Sequence, residues 1–169
     1  MSSGDMEDQD GLRIEPFSKE AFVVIGMEGS TREGKNFVKR LWERANARFP
    51  EIAPLAKRND AGRLVGIWGA MTDFDRTFQP WAHFQEGLYL AGVECLDDAE
   101  APEGWTRWQV PGFSYLRVSE EGEDTFPRML RYLSEREITL VGAVQECIDP
   151  GTGKCDLLFP VQRLEGEDH

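Results

Sequence analysis

The segment Val144-Gln145-Glu146-Cys147-Ile148 sets a carboxylate between two β-branched residues. On a strand, Val144, Glu146 and Ile148 share one face, and Ala143, Gln145 and Cys147 share the other. An apolar, inward face is a costly place for an unpaired charge unless a cationic ligand or hydrogen-bond donors compensate it. Such a glutamate can hold a lipophilic cation. With its pKa raised by burial, it can instead act as a general acid or base on water. The bland alternative is an edge-strand glutamate facing solvent, or Gln145 as the inward residue in its place. Aromatics are the second ingredient. Trp68, Trp105 and Trp108 fall on expected strands, and with Tyr89, Phe113, Tyr115 and Phe159 they can line a π-rich cleft for cations and flat apolar groups. They can equally be ordinary core. Trp81, in the loop Gln79-Pro80-Trp81-Ala82-His83, is placed to close over a ligand. The Tyr89 hydroxyl can donate to a ligand or hold a catalytic water, or simply anchor to backbone. Phe37 and Trp42 sit on a helical stripe and are read as core.

Other chemistries find little support. The chain has 169 residues and 2 histidines, of which His169 is terminal, so zinc or Ser-His-Asp chemistry would have to run through His83 alone. No metal or cofactor is expected. Three cysteines, Cys95, Cys147 and Cys155, are an odd number without C-x-x-C spacing, which points to a reducing, cytoplasmic setting rather than a disulfide framework. Gly151-Thr152-Gly153-Lys154 lacks the full phosphate-loop pattern and reads as a hairpin turn. A formal net charge of -12 repels nucleic-acid phosphates and anionic membranes. No apolar run approaches the roughly 20 residues of a membrane span, and the N-terminus lacks a signal-peptide pattern. Residues 1–11 and 165–169 read as acidic tails, the first disordered. No direct DNA or membrane binding is therefore expected, and the chain is expected to be a monomer or homodimer.

The elements that must position these residues come in two sets. Phe22 to Met27 reads as a buried strand. Phe37, Val38, Leu41, Trp42 and Ala45 make one apolar face of a helix over 36–49, which Pro50 and Pro54 end. Leu64 to Met71 and Gly87 to Leu96 follow as two strands, joined by an irregular connection. In the second half, Phe113 to Val118 is the strand, and the helix starts at Thr125 as N-cap with Pro127 in its first turn. Phe126, Met129, Leu130 and Leu133 form its stripe. Leu140 to Ile148 and Lys154 to Leu164 are the closing strands.

The order β-α-β-β thus occurs twice, over about 12–97 and about 104–164. Leu64-Val65-Gly66 and Leu140-Val141-Gly142 mark the repeat. The expected fold is α+β: two tandem modules with pseudo-twofold symmetry, an antiparallel sheet with helices on one face, and a ligand cleft between modules. Superposing Leu64 on Leu140 places Ala70 opposite Glu146, so the acid is not a scaffold requirement.

With these elements placed, the chain resembles the GyrI-like family, the effector-binding domains of AraC- and MerR-type drug-responsive regulators. The matching stretches are Tyr89-Leu90-Ala91-Gly92-Val93-Glu94, Val110-Pro111-Gly112-Phe113-Ser114-Tyr115-Leu116, the helix Thr125 to Leu133, and Leu157-Leu158-Phe159-Pro160-Val161. The resemblance implies two βαββ modules around a cleft, lined by aromatics and an acid, that takes lipophilic, often cationic compounds. It also implies a possible hydrolase of cyclopropanoid toxins, with Glu146 and Tyr89 catalytic, or a protein-interaction module. The family's Glu-x-Tyr strand motif is replaced by Gln145-Glu146-Cys147, and no helix-turn-helix segment accompanies the domain.

Overall fold

A computed structural model of the chain describes residues 6–7, 12–83, 85–120 and 122–164. Nine strands form one sheet: β1 (Met6–Glu7), β2 (Arg13–Lys19), β3 (Phe22–Ser30), β4 (Ile67–Thr72), β5 (Leu88–Cys95), β6 (Thr106–Val110), β7 (Phe113–Ser119), β8 (Gln145–Ile148) and β9 (Cys155–Arg163). Helix α1 (Phe37–Ala47) follows β3, and α2 (Thr125–Glu135) follows β7. The expected tails at 1–11 and 165–169 lie outside the described residues, except that Met6 and Glu7 pair with Ile14 and Arg13 at the sheet edge.

The strand order is β1-β2-β7-β9-β8-β4-β5-β3-β6, with antiparallel neighbours throughout. Leaving β1 aside, it reads as two equivalent quartets, β2-β7-β9-β8 and β6-β3-β5-β4, meeting at the β8–β4 ladder. The two βαββ modules are present, and each half also lends a strand to the other. β2, at the start of the first half, precedes its β-α-β-β run and pairs with β7, and β6, at the start of the second, precedes its run and pairs with β3. This exchange ties the modules into one sheet.

Both helices lie on one face, each held by a single apolar stripe. α1 buries Phe37, Leu41 and Ala45 over Val23, Ile25 and Met27 of β3 and Tyr89, Ala91 and Val93 of β5. Leu41 packs so closely on β3 that a Cβ at Gly29 would lie 2.8 Å from its Cδ1. α2 buries Met129, Tyr132 and Leu133 over Val118, Leu157 and Phe159. Its N-cap is Asp124, and Thr125 is the first helical residue rather than the cap.

The opposite face has no helix. It is filled by large side chains of the sheet itself, among them Phe22, Trp68, Trp108, Phe113 and Tyr115, and by Phe74 and Phe78 from the β4–β5 connection. Every residue of β5 is buried because both faces are covered.

The superposition of Leu64 on Leu140 is out of register. Leu64, Val65 and Gly66 precede β4, whereas Ala143 and Val144 intervene between Gly142 and β8. Gly69 pairs directly with Glu146 across the β4–β8 ladder, while Ala70 packs with Trp68 on the helix-free face. A shift of one residue moves a side chain to the other face. The position matching Glu146 in the first half is therefore Gly69, not Ala70.

Candidate functional site

Strand β8 is four residues long and paired on both sides, so its side-chain directions are fixed. Glu146 stands opposite Gly69 on one side and Leu157 on the other. It faces the helices, at the seam between the two modules. Gln145 faces away and is fully buried. Its Oε1 accepts from the Met71 N–H at 2.8 Å, and its Nε2 donates to the Met71 carbonyl at 3.0 Å and the Ala143 carbonyl at 3.1 Å. The β4–β8 ladder stops at Gly69, so the Gln145 amide satisfies the backbone just beyond its end. Gln145 is a structural residue, and Glu146 is the inward acid.

Tyr89 comes from β5, next to β4. Its ring is buried against Phe37 and Trp42, and its hydroxyl crosses over Gly69 to donate to Glu146 Oε1 at 2.7 Å. Trp42 of α1 donates its indole N–H to the same hydroxyl at 3.0 Å. The missing side chain at position 69 makes this possible: a Cβ there would overlap the Tyr89 hydroxyl and lie 2.5 Å from Glu146 Oε1.

Beside Glu146 is a cavity of about 200 Å³. Glu146 of β8, Val144 just before it, Leu157 of β9 and Met71 of β4 form its floor. Phe126 of α2 and Glu120, at the end of β7, form one wall, and Pro80 and Trp81 of the β4–β5 connection form the other. Apart from the two carboxylates, the lining is apolar. Burial pushes the Glu146 carboxyl above the usual range, and the charge of Glu120 adds to this, against the stabilising Tyr89 hydrogen bond. The Tyr89 phenol is pushed up as well, first by burial and then by Glu146, so it remains a donor. No lysine or arginine among the described residues pairs with Glu146.

Among its described residues, the connection that supplies Trp81 holds three non-glycine residues at positive φ: Arg76 (58°), Phe78 (61°) and His83 (54°). It is pinned in several places. Thr72 Oγ1 accepts from Phe78 N at 2.7 Å, Arg76 pairs with Glu28, and the Arg32 guanidinium lies 3.9 Å from the Phe74 ring centroid. Trp81 donates its indole N–H to the Leu88 carbonyl at 3.1 Å, which turns the ring edge toward the sheet. His83 is exposed, and the described residues hold no group of three or more His, Cys, Asp or Glu side chains placed to bind a metal ion.

Of the aromatics singled out in the sequence, Trp81 lines the cavity and Tyr89 stands behind Glu146. Phe159 lies under α2 and reaches the cavity only through Phe126, on which it stacks at 5.7 Å. Trp68, Trp108, Phe113 and Tyr115 are not brought to the cleft; they are buried on the opposite face. There Trp68 packs on Phe22 at 4.7 Å, Trp108 donates to Glu28 Oε1 at 2.8 Å, and Phe113 meets Tyr115 edge-on at 5.7 Å. Four contributors escaped the sequence reading: Glu120, Phe126, Met71 and Trp42. Phe126 and Trp42 were assigned to helix stripes as core. In fact the buried stripe of α1 is Phe37, Leu41 and Ala45, which leaves Trp42 half-buried on its flank.

No helix of the described residues is long and apolar enough to cross a membrane. No protein-family model matches the chain. The transcriptional regulator BrlR of Pseudomonas aeruginosa is 32% identical over 102 residues, which is 60% of this chain and 33% of that regulator, so the match spans about a third of its length. Among solved structures, SAV2435 bound to tetraphenylphosphonium superimposes with a TM-score of 0.62 at 15% identity, covering 92% of this chain and 98% of that one. A transcription regulation protein from Staphylococcus aureus MU50 superimposes with a TM-score of 0.60 at 14% identity, covering 90% and 99%. The paired βαββ modules and their near end-to-end superposition on these structures identify the architecture: the chain has the GyrI-like, effector-binding fold.

Proposed function

We propose that the chain binds lipophilic cations between its modules, as a drug-sensing or sequestering domain. The observation that carries this reading is a carboxylate in an apolar cavity with a neutral donor, the Tyr89 hydroxyl, and no protein cation paired to it among the described residues. A buried anion without a counter-ion is costly, and a bound cation would remove that cost. Trp81 and Phe126 would supply dispersion and cation–π contact. A structural neighbour holds tetraphenylphosphonium, and the regulators among the relatives are in keeping with a sensing role. The test is calorimetric titration of tetraphenylphosphonium into wild type and Glu146→Gln. The isosteric amide should lower affinity about 10- to 100-fold, the size expected for a charge-assisted contact out of water (~1.5–3 kcal/mol). Equal affinities would remove the acid from the role.

The Tyr89–Glu146 hydrogen bond and the raised Glu146 carboxyl also favour a second reading, general-base hydrolysis of a strained electrophilic ring. Glu146 would take a proton from water as the water oxygen bonds to a ring carbon; the ring C–C bond breaks, its electron pair passes to the electron-withdrawing group of the substrate, and Glu146 returns the proton to the carbon so released, with Tyr89 holding the carboxylate in position. Mass spectrometry of a cyclopropanoid substrate incubated with stoichiometric protein decides this; unchanged substrate leaves binding alone.

A further inference from the structure

A second cavity of about 150 Å³ lies under α1, lined by Trp42, Ile52, Leu64, Ile67, Val93 and Trp105, among other side chains. Strand β4 links it to the first. Ile67 lines the second cavity, Met71 lines the first, and Gly69 lies between them. Alternate residues of a strand share a face, so Ile67, Gly69 and Met71 form one floor about 13 Å long. At its midpoint the floor has no side chain. The space above Gly69 is taken by the Tyr89 hydroxyl and the Glu146 carboxylate, and the Trp42 indole is hydrogen-bonded to that hydroxyl. Three side chains joined by two hydrogen bonds thus run from one cavity to the other. Each cavity alone is smaller than the roughly 300–1,000 Å³ of a drug-sized site; joined, they reach its lower end.

We propose that the second cavity is a subsite for an aromatic or alkyl arm of a cation whose charged centre sits at Glu146, and that Trp42 is the side chain that admits the arm. This rests on the cation-binding reading above and adds a ligand class: cations carrying one extended apolar substituent. Trp42 suits the part because it is half-buried at the edge of α1 and its only polar tether among the described residues is the one bond to Tyr89. One hydrogen bond is a weak tether, so an arm that fills the subsite has a small cost to overcome. The lining is apolar but for Asn46 at the exposed rim and holds no acidic side chain, so the second charge of a dication has no partner there.

Two probes separate this from the parent reading: benzyltrimethylammonium, which fills only the first cavity, and (4-phenylbutyl)trimethylammonium, whose arm reaches beyond Gly69. In wild type the long-armed cation should bind at least 10-fold tighter. Its addition should shift the Ile52 and Ile67 methyl signals in the NMR spectrum, and the short probe should not. Asn46→Trp, a rim substitution that closes the subsite without entering the core, should cancel the long probe's advantage and leave the short probe's affinity unchanged. Trp42→Ala, by opening the partition, should keep or enlarge that advantage. Glu146-dependent binding of the short probe with no gain from the arm, or with unmoved Ile52 and Ile67 methyls, overturns the subsite and spares the cation site. Failure of the short probe to bind in a Glu146-dependent way overturns the cation site, and the subsite falls with it.

Discussion

The two halves of the sheet meet along the β4–β8 ladder, and the last of its three cross-strand pairs joins residues that differ as much as two can: Gly69 from the first half, Glu146 from the second. Neighbouring positions differ in the same direction. Tyr89 and Trp42 of the first half point hydrogen-bond donors toward the pair. The second half supplies Phe126 and Leu157 as apolar lining, with Glu120 beside them. A duplicated scaffold therefore carries an undivided site. One copy gives up its side chain at the axis so that the other's carboxylate, and a hydroxyl to hold it, can occupy the space above both. Two glutamates there would place like charges on directly opposed strand positions.

Giving the first half a side chain at the axis is the severest way to break this arrangement. Gly69→Ala puts a Cβ on the Tyr89 hydroxyl and 2.5 Å from Glu146 Oε1. The backbone neighbours are sheet ladders on both sides, so the strain cannot relax by loop movement. Stability should fall by about 1–3 kcal/mol, as overpacked cores do, read as a lower urea midpoint at unchanged slope. Binding of tetraphenylphosphonium should fall further than in Glu146→Gln, because the carboxylate is displaced as well as crowded. Adding Tyr89→Phe removes the nearer clash and should recover part of the stability. If the single variant is as stable as wild type, the glycine is not there for room.

Titration of the axial acid gives the next largest effect. Burial holds Glu146 above its ordinary 4.5, so the folded protein keeps a proton that the unfolded chain has already released. Its contribution to stability is then fully present below about pH 4.5 and is lost as pH rises through the raised folded value. Measured against Glu146→Gln, wild type should lose stability with rising pH across that window. Affinity for a cation should move the other way, rising as the carboxylate ionises. Parallel pH curves for the two proteins would mean that the acid titrates as if in water.

The hydroxyl that one half lends the other is worth less than the acid. Tyr89→Phe deletes the donor to Glu146 and the acceptor for Trp42 while keeping the ring between Phe37 and Trp42. With the Tyr89 bond gone, the only resolved influence that lowers the Glu146 carboxyl disappears, so its midpoint should move up further. Cation affinity at neutral pH should drop about 5-fold, in line with one hydrogen bond of roughly 1 kcal/mol.

The repeated β-α-β-β order, both helices and part of each stripe were legible in the sequence, because a 3.6-residue stripe leaves a local trace; a strand-borne acid among β-branched residues pointed to Glu146 but left Gln145 open as the inward residue. Register between the halves was not. Leu-Val-Gly precedes β4 and β8 by different distances, and an error of one residue changes the face. The exchange of β2 and β6 was also hidden, since both are strands wherever they pair. The deepest loss concerns the aromatics. In strands buried on both faces, such as β5 and much of β3, alternation vanishes. Nothing local then separates Trp68, which faces away from the helices, from Tyr89, which faces them. Trp42 failed for a related reason: the flank of a helix stripe looks like core unless the cleft beside it is known.

That comparison of faces gives the smallest effect expected and a sharp control. Trp68 lies one residue from Gly69, yet its ring packs on Phe22 beneath the sheet. Its indole N–H is buried without a hydrogen-bond partner among the described residues. Trp68→Phe removes that orphaned donor, whose burial costs about 1–3 kcal/mol, and also removes ring volume that a close-packed core misses by a similar amount. The two effects oppose each other, so net stability should change by less than about 1 kcal/mol. Affinity for tetraphenylphosphonium should stay within 2-fold of wild type, because the β-sheet stands between the ring and the cavity. A larger loss of binding would put the helix-free face in contact with the ligand and return Trp68, Trp108, Phe113 and Tyr115 to the site. Unchanged binding beside the collapse expected of Gly69→Ala would show that adjacent residues of one strand serve different faces: one holds the core together, and the other keeps the axis open for the acid.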